Sequence, residues 1–566
     1  MLSFKRLLYI VLIVAVLGGI FLIYSIHESQ RASVQFQSCH VPEREFIETV
    51  KVDKGDKPEV WILGDSENEK YGKIYDNVRQ FCGDLHLTVV ENDRLDIGEA
   101  EERDLVIFCD ASINRYADSA ELEKFIAEGG RVVLAAGLAE NDGDLQMRSV
   151  FGIREKSAGE DCHKMVFEKP LLPVQPKQAH YDGNSCSSKI EVSADASVYI
   201  RDAENGVPIL YTYTQQKGGV CLINGTFLTD IRCMGLLSGA IGTLLPNFIY
   251  PILGVKAVFL DNFPAVSPDD DKLCKQIYGY SAEGFVRDVV WPAFQGISLR
   301  TDTPYTAGIL AASSDKNFEA AGNELFMTVG KSVLQFDGEL VYATDCPKDG
   351  KVVFNEDFIA RFPEIFPNYT IQGLTLKTDR FSAEIPNTLG TGILSIRGML
   401  DSNEMRFSRK DGRTVFPAAT EGNSMEDGNL FAVCSVLGAY GMVSHVFDVG
   451  MLIIGDEGTA AWDSDRKQIG LFESEILTHV PWLEGRTLTQ TEGDVRSYRD
   501  MDYGWTMSGN RIELDCSGAA KGQTFFYRTD SRIVDAEGLT YQDVGNGYYL
   551  LHIRENHGVI MLEEGE

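Results

Sequence analysis

The hydrophobic pattern divides the chain into stretches of different period. From Leu7 to Ile26 twenty residues carry no charge; at about 1.5 Å of helical rise per residue this run spans the hydrocarbon core of a bilayer. Residues 27–56 are polar and weakly periodic, and read as a stalk. Short apolar runs then alternate with amphipathic segments. Val60–Leu63, Leu87–Val90, Leu105–Phe108 and Val132–Leu134 read as strands, which Ile209–Tyr211 and Val220–Ile223 extend. Between them Ile74, Val78, Phe81 and Cys82 recur at helical spacing. So do Leu122, Phe125 and Ile126, behind a capping-box pair, Asp118 and Glu121, and before a Gly129-Gly130 stop. Such alternation predicts a parallel, doubly wound sheet over 57–250. The part from about 140 to 205 is more polar and shows no clear period.

A second unit, 251–504, opens with the strand Val258–Leu260. Further strands are predicted at Tyr305–Leu310, Glu324–Val329, Gly392–Ile396, Thr414–Ala418 and Tyr440–His445. Long helical or irregular segments separate them, which predicts a (β/α) barrel. The last part, 505–566, has short strands at Ile512–Leu514, Phe525–Arg528, Tyr548–Ile553 and Val559–Leu562, with Gly545-Asn546-Gly547 as a turn, and reads as a small all-β module. The fold class is therefore α/β: a transmembrane helix (1–26), a stalk, a doubly wound domain, a barrel and a β module.

Lys5 and Arg6 precede the apolar run, which favours a cytoplasmic N-terminus. The run is longer than a signal-peptide core, and Tyr24, His27 and Glu28 stand at its end, which favours an uncleaved anchor, with a cleaved signal peptide as the alternative. The expected location is the cell membrane, crossed once, with the bulk of the chain extracytoplasmic. The net charge of −32 over 566 residues argues against nucleic acid as a partner. The same acidity would attract a cationic polymer. Eleven cysteines without a C-x-x-C pair are neither a disulfide scaffold nor a zinc ribbon. Cys162 and Cys186, which flank a polar insertion, are the one candidate pair; Cys109, Cys221 and Cys434 read as core thiols.

The candidate chemistry lies at strand ends of the barrel, where active sites of such folds sit. Asp261-Asn262 directly follows the first strand, and Ser444-His445-Val-Phe-Asp448 lies at the end of the last. Asp261 and His445 would form an acid–base pair if both face the mouth, with Asp448 as a further carboxylate. Two carboxyls across a sugar would instead make a glycosidase site. Asn262, Trp291 and Tyr305 are candidate sugar contacts, as is Trp482, although large aromatics in such runs are more often core. Gly330-Lys331-Ser332 is no phosphate loop, since position 325 is leucine rather than glycine.

Leu260-Asp-Asn-Phe-Pro264 resembles the opening of the polysaccharide deacetylase barrel, where two adjacent aspartates follow the first strand. In that family one serves as base, the other binds a divalent metal, and a later His-x-x-x-His supplies two more ligands. The doubly wound part resembles amidotransferase-like or flavodoxin-like domains, but Cys109-Asp-Ala lacks their glycine-flanked nucleophile turn, and Asp65 reads as a helix cap. A narrower resemblance rests on Leu260–Pro264, Phe285–Pro292, Val443–Phe447 and Pro481–Leu483 in that order. It is to a bacterial domain-of-unknown-function family (number 2194) of membrane-anchored, deacetylase-like proteins of Pel-type exopolysaccharide systems.

The departures from the deacetylase pattern are as informative as the matches. Asn262 replaces the metal-binding aspartate, Thr328 and Ser332 stand where the two histidines would fall, and Asp448 stands for a further histidine. Only His445 and His479 occur between 251 and 500. The expectation is thus a degenerate site with no cofactor, a bound divalent metal such as zinc being the disfavoured alternative. The expected role is that of a pseudoenzyme in biofilm exopolysaccharide synthesis or export, binding polysaccharide or holding synthase and export components. The alternatives are an active carbohydrate esterase or glycoside hydrolase with a non-standard site, and a surface assembly protein that binds no sugar.

Overall fold

The computed structural model describes Cys39 and residues 41–563, except 97–99, 101–103, 140–146, 184, 265–267, 313–322, 345–355, 377–388, 390–391, 401–405, 427 and 455–458. The expected anchor at 7–26 lies outside the described residues. Among these, no helix is long and apolar enough to cross a membrane.

The first unit is a nine-stranded mixed sheet. Five strands are parallel, in the order Thr88–Glu91, Glu59–Leu63, Leu105–Phe108, Arg131–Leu134, Gly218–Ile223. This is the flavodoxin-like order. The runs Leu105–Phe108 and Gly218–Ile223 are buried throughout, as a sheet covered on both faces requires. Gly72–Asp84 buries Ile74, Val78, Phe81 and Cys82. Ser119–Glu128 starts where the Asp118 carboxylate accepts from the Ala120 and Glu121 amides (2.9 and 3.4 Å) and stops at Gly129. Pro208–Gln215, which contains the predicted strand Ile209–Tyr211, joins the sheet antiparallel rather than parallel, and the polar part that lacked a period adds Ser197–Asp202, Lys164–Phe167 and Gln178–His180, also antiparallel. Cys162, half of the candidate disulfide, is a free thiol.

The second unit is a parallel barrel. Its strands Val255–Asp261, Tyr305–Ala312, Glu339–Thr344, Gly373–Leu376 and Ser395–Arg397 pair in that order, and Met442–Asp448 pairs with the other side of Val255–Asp261. The segment 413–421 closes the ring. It pairs first with Ser395 and Ile396, then through Ala418 with Met399, and finally, at Thr420 and Glu421, with His445 and Val446. Glu339–Thr344 and Gly373–Leu376 are strands beyond those the pattern predicts. Glu324–Val329, expected as a strand, is instead the first part of the helix Asn323–Gln335. Leu325, Phe326, Val329 and Val333 form its buried face, and that spacing is helical rather than alternating.

The amino-terminal end of the barrel is plugged. Leu488 N donates to Thr306 Oγ1 (2.9 Å), and Thr489 N and its hydroxyl both donate to the buried Glu339 carboxylate. The carboxyl end is where ligands of such barrels bind.

The C-terminal strands form two four-stranded sheets. One takes in Phe248–Ile252, which crosses the expected boundary near 250 and binds the module to the chain between the other two units. The described part of the expected stalk is packed against this module: Ile47 N donates to Ala519 O (2.9 Å) and Asp56 N to Trp505 O (2.6 Å). The first unit and the barrel meet through the helices Met234–Leu244 and Asn429–Tyr440. Gly235 comes so close that a Cβ there would lie 2.2 Å from Ser435 O, and Ser238 Oγ donates to Gly438 O (3.0 Å).

Candidate functional site

At the open end of the barrel Asp261 and Asp448 are register partners on adjacent parallel strands, so both project to the same side. Asp261 is buried, and its Oδ2 accepts from Arg397 Nη2 at 2.8 Å. Arg397 ends the strand Ser395–Arg397 and is 1% exposed; its guanidinium lies over the Phe259 ring, 5.3 Å from the centroid. Asn262 takes a positive φ of 54°, which asparagine tolerates better than most residues, and its amide donates to both oxygens of Asp448 (2.9 and 2.8 Å).

Gly308 makes room for this group. A Cβ there would stand 3.0 Å from Asp261 Oδ1 and 3.1 Å from Thr375 Oγ1. Asp261 Oδ1, Ser395 Oγ and Arg397 Nε and Nη1 are buried without a partner among the described residues. Buried polar atoms seldom stay unpaired, so these are the natural contact points for a polar ligand or water.

His445 is not part of this group. It is register partner to Val258, whereas Asp261 lies three residues further on the same strand and faces the opposite way. Its Nε2 faces Gly422 O at 3.0 Å and its Nδ1 faces Thr420 Oγ1 at 2.7 Å. A carbonyl only accepts, so Nε2 carries the proton and Nδ1 accepts from the threonine hydroxyl. The ring packs against Phe447 and Phe472, with centroids 4.4 and 5.0 Å away. The expected Asp261–His445 acid–base pair is therefore not formed.

Burial lowers the His445 pKa to about 3. An unfolded histidine takes up a proton near pH 6.5. Folding stability is thus lost as pH falls from about 6.5 toward 3, because the unfolded chain binds a proton that the folded one refuses. The expected NMR result is a neutral Nε2–H imidazole whose shifts stay constant from pH 8 to 5. A midpoint between about 6 and 7 would place the ring in solvent instead.

The aromatic candidates lie behind the barrel wall. Trp291 is 4% exposed; its indole donates to Ser332 Oγ (2.9 Å), and it packs on Phe263 at 5.4 Å. Tyr305 is 3% exposed and donates to Phe294 O (3.1 Å). Trp482 packs on Phe526 of the C-terminal module. Thr328 and Ser332 lie on the outer helix Asn323–Gln335, where Thr328 bonds its own backbone at Glu324 O (2.8 Å). Among the described residues His479 faces the Thr478 hydroxyl (3.4 Å), and it lies in a short helical turn beyond the barrel strands.

These positions test the fit of a divalent metal. A deacetylase-type site needs two imidazoles and a carboxylate. Here one imidazole is used up in the wall, one Asp261 oxygen is held by a guanidinium, and no cluster of three or more possible ligands occurs among the described residues. The donor set does not fit a His–His–Asp centre.

In the first unit, Cys109 is buried and its thiol pKa is pushed well above the usual range, which suits a core thiol. Asp65, expected as a helix cap, instead accepts from the Glu67 amide (2.9 Å) in a turn; the helix that follows begins at Gly72 behind Tyr71.

Residues 55–339 match the sequence model of a bacterial family described as "uncharacterised protein conserved in bacteria (DUF2194)". The chain belongs to that family. The matched DUF2194 region takes in the whole first sheet and the first barrel strands, with Asp261 and Asn262. No curated protein matches in sequence. In fold, the chain is similar to the carbohydrate deacetylase Agd3, at 9% identity and a TM-score of 0.50, over 89% of this chain and 98% of that one. A ThuA-like protein from Bacteroides uniformis ATCC 8492 matches 34% of the chain and 94% of its own, at 13% identity and a TM-score of 0.27. A β-galactosidase from Bacillus circulans sp. alkalophilus matches 34% of this chain and 32% of its own, at 16% identity and a TM-score of 0.22. The last two likenesses are too low to bear on the fold. The first shows a shared fold over most of the chain.

Arg397 is the main residue that sequence reasoning missed. Its signal is a lone charge at the end of the apolar run Gly392–Ile396, at the carboxyl end of a barrel strand. Gly308 also left a trace, as an isolated glycine inside a strand.

Proposed function

We propose that this is a membrane-anchored, extracytoplasmic polysaccharide-binding protein of exopolysaccharide synthesis or export, whose deacetylase-like barrel no longer runs metal-dependent deacetylation. The observation that carries this reading is the Asp261–Arg397 ion pair at the barrel mouth. A carboxylate held by a guanidinium is suited to hydroxyl and carbonyl recognition, since Arg397 keeps further N–H donors free and Asp261 keeps an acceptor oxygen. The uncharged run at 7–26 supports the anchor, and Lys5 and Arg6 support a cytoplasmic N-terminus. The scaffolding of synthase or export components is the wider role this location suggests.

The test uses the full-length protein purified in detergent. Metal content, acetate release from N-acetylated oligosaccharides and retention on immobilised polysaccharide are measured together. Retention without acetate release or stoichiometric metal is the expected result. Acetate release with bound metal would establish the esterase reading instead, and absence of retention would leave an assembly protein that binds no sugar.

A further inference from the structure

The carboxyl ends of both parallel sheets open on one cleft of about 690 Å³. The first unit contributes Lys73, on the helix that follows Glu59–Leu63, and Thr229–Arg232, beyond Gly218–Ile223. The barrel contributes Met399 and Leu400, just past Arg397, and the ring-closing segment 419–424. Ligands of open α/β sheets and of barrels sit outside the carboxyl ends of the strands. Here two such ends face each other across a space of the size that small-molecule sites occupy.

Asn423, which lines the cleft, is bonded to the strand end at the mouth. The Asn423 amide donates to Asp448 O (3.1 Å), and Asp448 N donates back to Asn423 Oδ1 (3.2 Å). The lining is polar, with carboxylates in excess over cations. Asp230 is held by Arg232 at 2.7 Å, and Asp182 lies 3.7 Å from the same guanidinium. Glu421 is exposed, and no cation pairs with it among the described residues.

We infer that this cleft is a distal subsite of a polysaccharide path that begins at the barrel mouth, and that it takes a stretch of polymer bearing free amino groups. Glu421 and Asp182 receive the ammonium groups, and Asn423 holds the 419–424 segment in register with the mouth. The net charge of −32 adds a field that favours amino sugars and repels uronates. The inference rests on the proposed polysaccharide-binding role and gives the first unit a share in recognition.

The experiment is calorimetric titration of the full-length protein in detergent with three probes: partially de-N-acetylated chitosan oligosaccharides, fully N-acetylated chito-oligosaccharides and oligouronates. Variants are Glu421→Gln, Glu421→Lys and Asp182→Asn, each accepted only with an unchanged thermal midpoint. The amine-bearing probe is expected to bind best, and each variant to weaken it by about tenfold, the effect of one charge-assisted hydrogen bond. Glu421→Lys weakens it most, and binding of the acetylated probe is unchanged. Variants that bind the amine-bearing probe as tightly as the parent protein overturn the assignment. If Asp448→Asn abolishes binding while the cleft variants do not, the subsite falls and the mouth reading stands. If the parent protein binds none of the three probes, both fall.

Discussion

Replacing Arg397 with alanine is expected to lower the free energy of unfolding by about 3–5 kcal/mol, because it leaves the buried Asp261 carboxylate without its counter-charge. Asp261 and Arg397 side chains are 3% and 1% exposed, so bulk solvent does little to replace the guanidinium. Asp261→Asn removes the charge but leaves Arg397 buried with fewer acceptors, and is expected to cost a similar amount. The double variant Asp261→Leu/Arg397→Met should recover most of this loss, since a buried ion pair exchanged for apolar groups of similar volume is often near neutral. Urea titration of the four proteins measures these energies. Equal losses for the single and double variants would show that shape rather than charge is at stake. The double variant is also expected to lose polysaccharide retention, because it removes the unpaired polar atoms that face a ligand.

Trp291→Ala is expected to cost about 3–5 kcal/mol of stability, the range for emptying a large aromatic site in a core. The ring fills the space between Phe263, which follows the Asp261 strand, and Tyr305 on the next strand, and its indole donor is used on Ser332. Polysaccharide affinity, measured at a temperature where the variant is folded, should stay within about twofold, well under the 1.4 kcal/mol that a tenfold change represents. A sugar-stacking tryptophan would behave in the opposite way, with little loss of stability and a large loss of affinity. Thermal melts and retention assays on the same preparation separate the two.

Elements with a strong local period were legible in the chain. The helix that buries Ile74, Val78, Phe81 and Cys82 and the Asp118 cap follow from spacing and from one side-chain hydrogen bond. The first sheet's parallel strands are apolar runs because both faces are covered. Legibility fell where period and composition disagree. Glu324–Val329 has the apolar content of a strand, yet Leu325, Phe326, Val329 and Val333 face the barrel only in a helix. The short strands Glu339–Thr344 and Gly373–Leu376 are bounded by polar residues, and their inward positions are partly filled by Glu339, Thr375 and Gly373, so no alternation marks them.

The sequence by itself determined the charge, the uncharged N-terminal run, the mixed α/β character and the strand-end positions of Asp261, Asn262 and Asp448. It also determined that the two histidines between residues 251 and 500, His445 and His479, do not have His-x-x-x-His spacing. Tertiary structure decided which of these residues meet. Asp261 and Asp448 are 187 positions apart in the chain and become neighbours only through the register of two parallel strands. His445 lies three residues before Asp448, yet the pleat turns it into the wall, where a carbonyl and a threonine use both ring nitrogens. Arg397, 136 residues from Asp261, takes the place beside that carboxylate because ring closure brings its strand across the mouth. Local patterning sets the elements, whereas burial and the distances between remote side chains depend on how those elements close on one another.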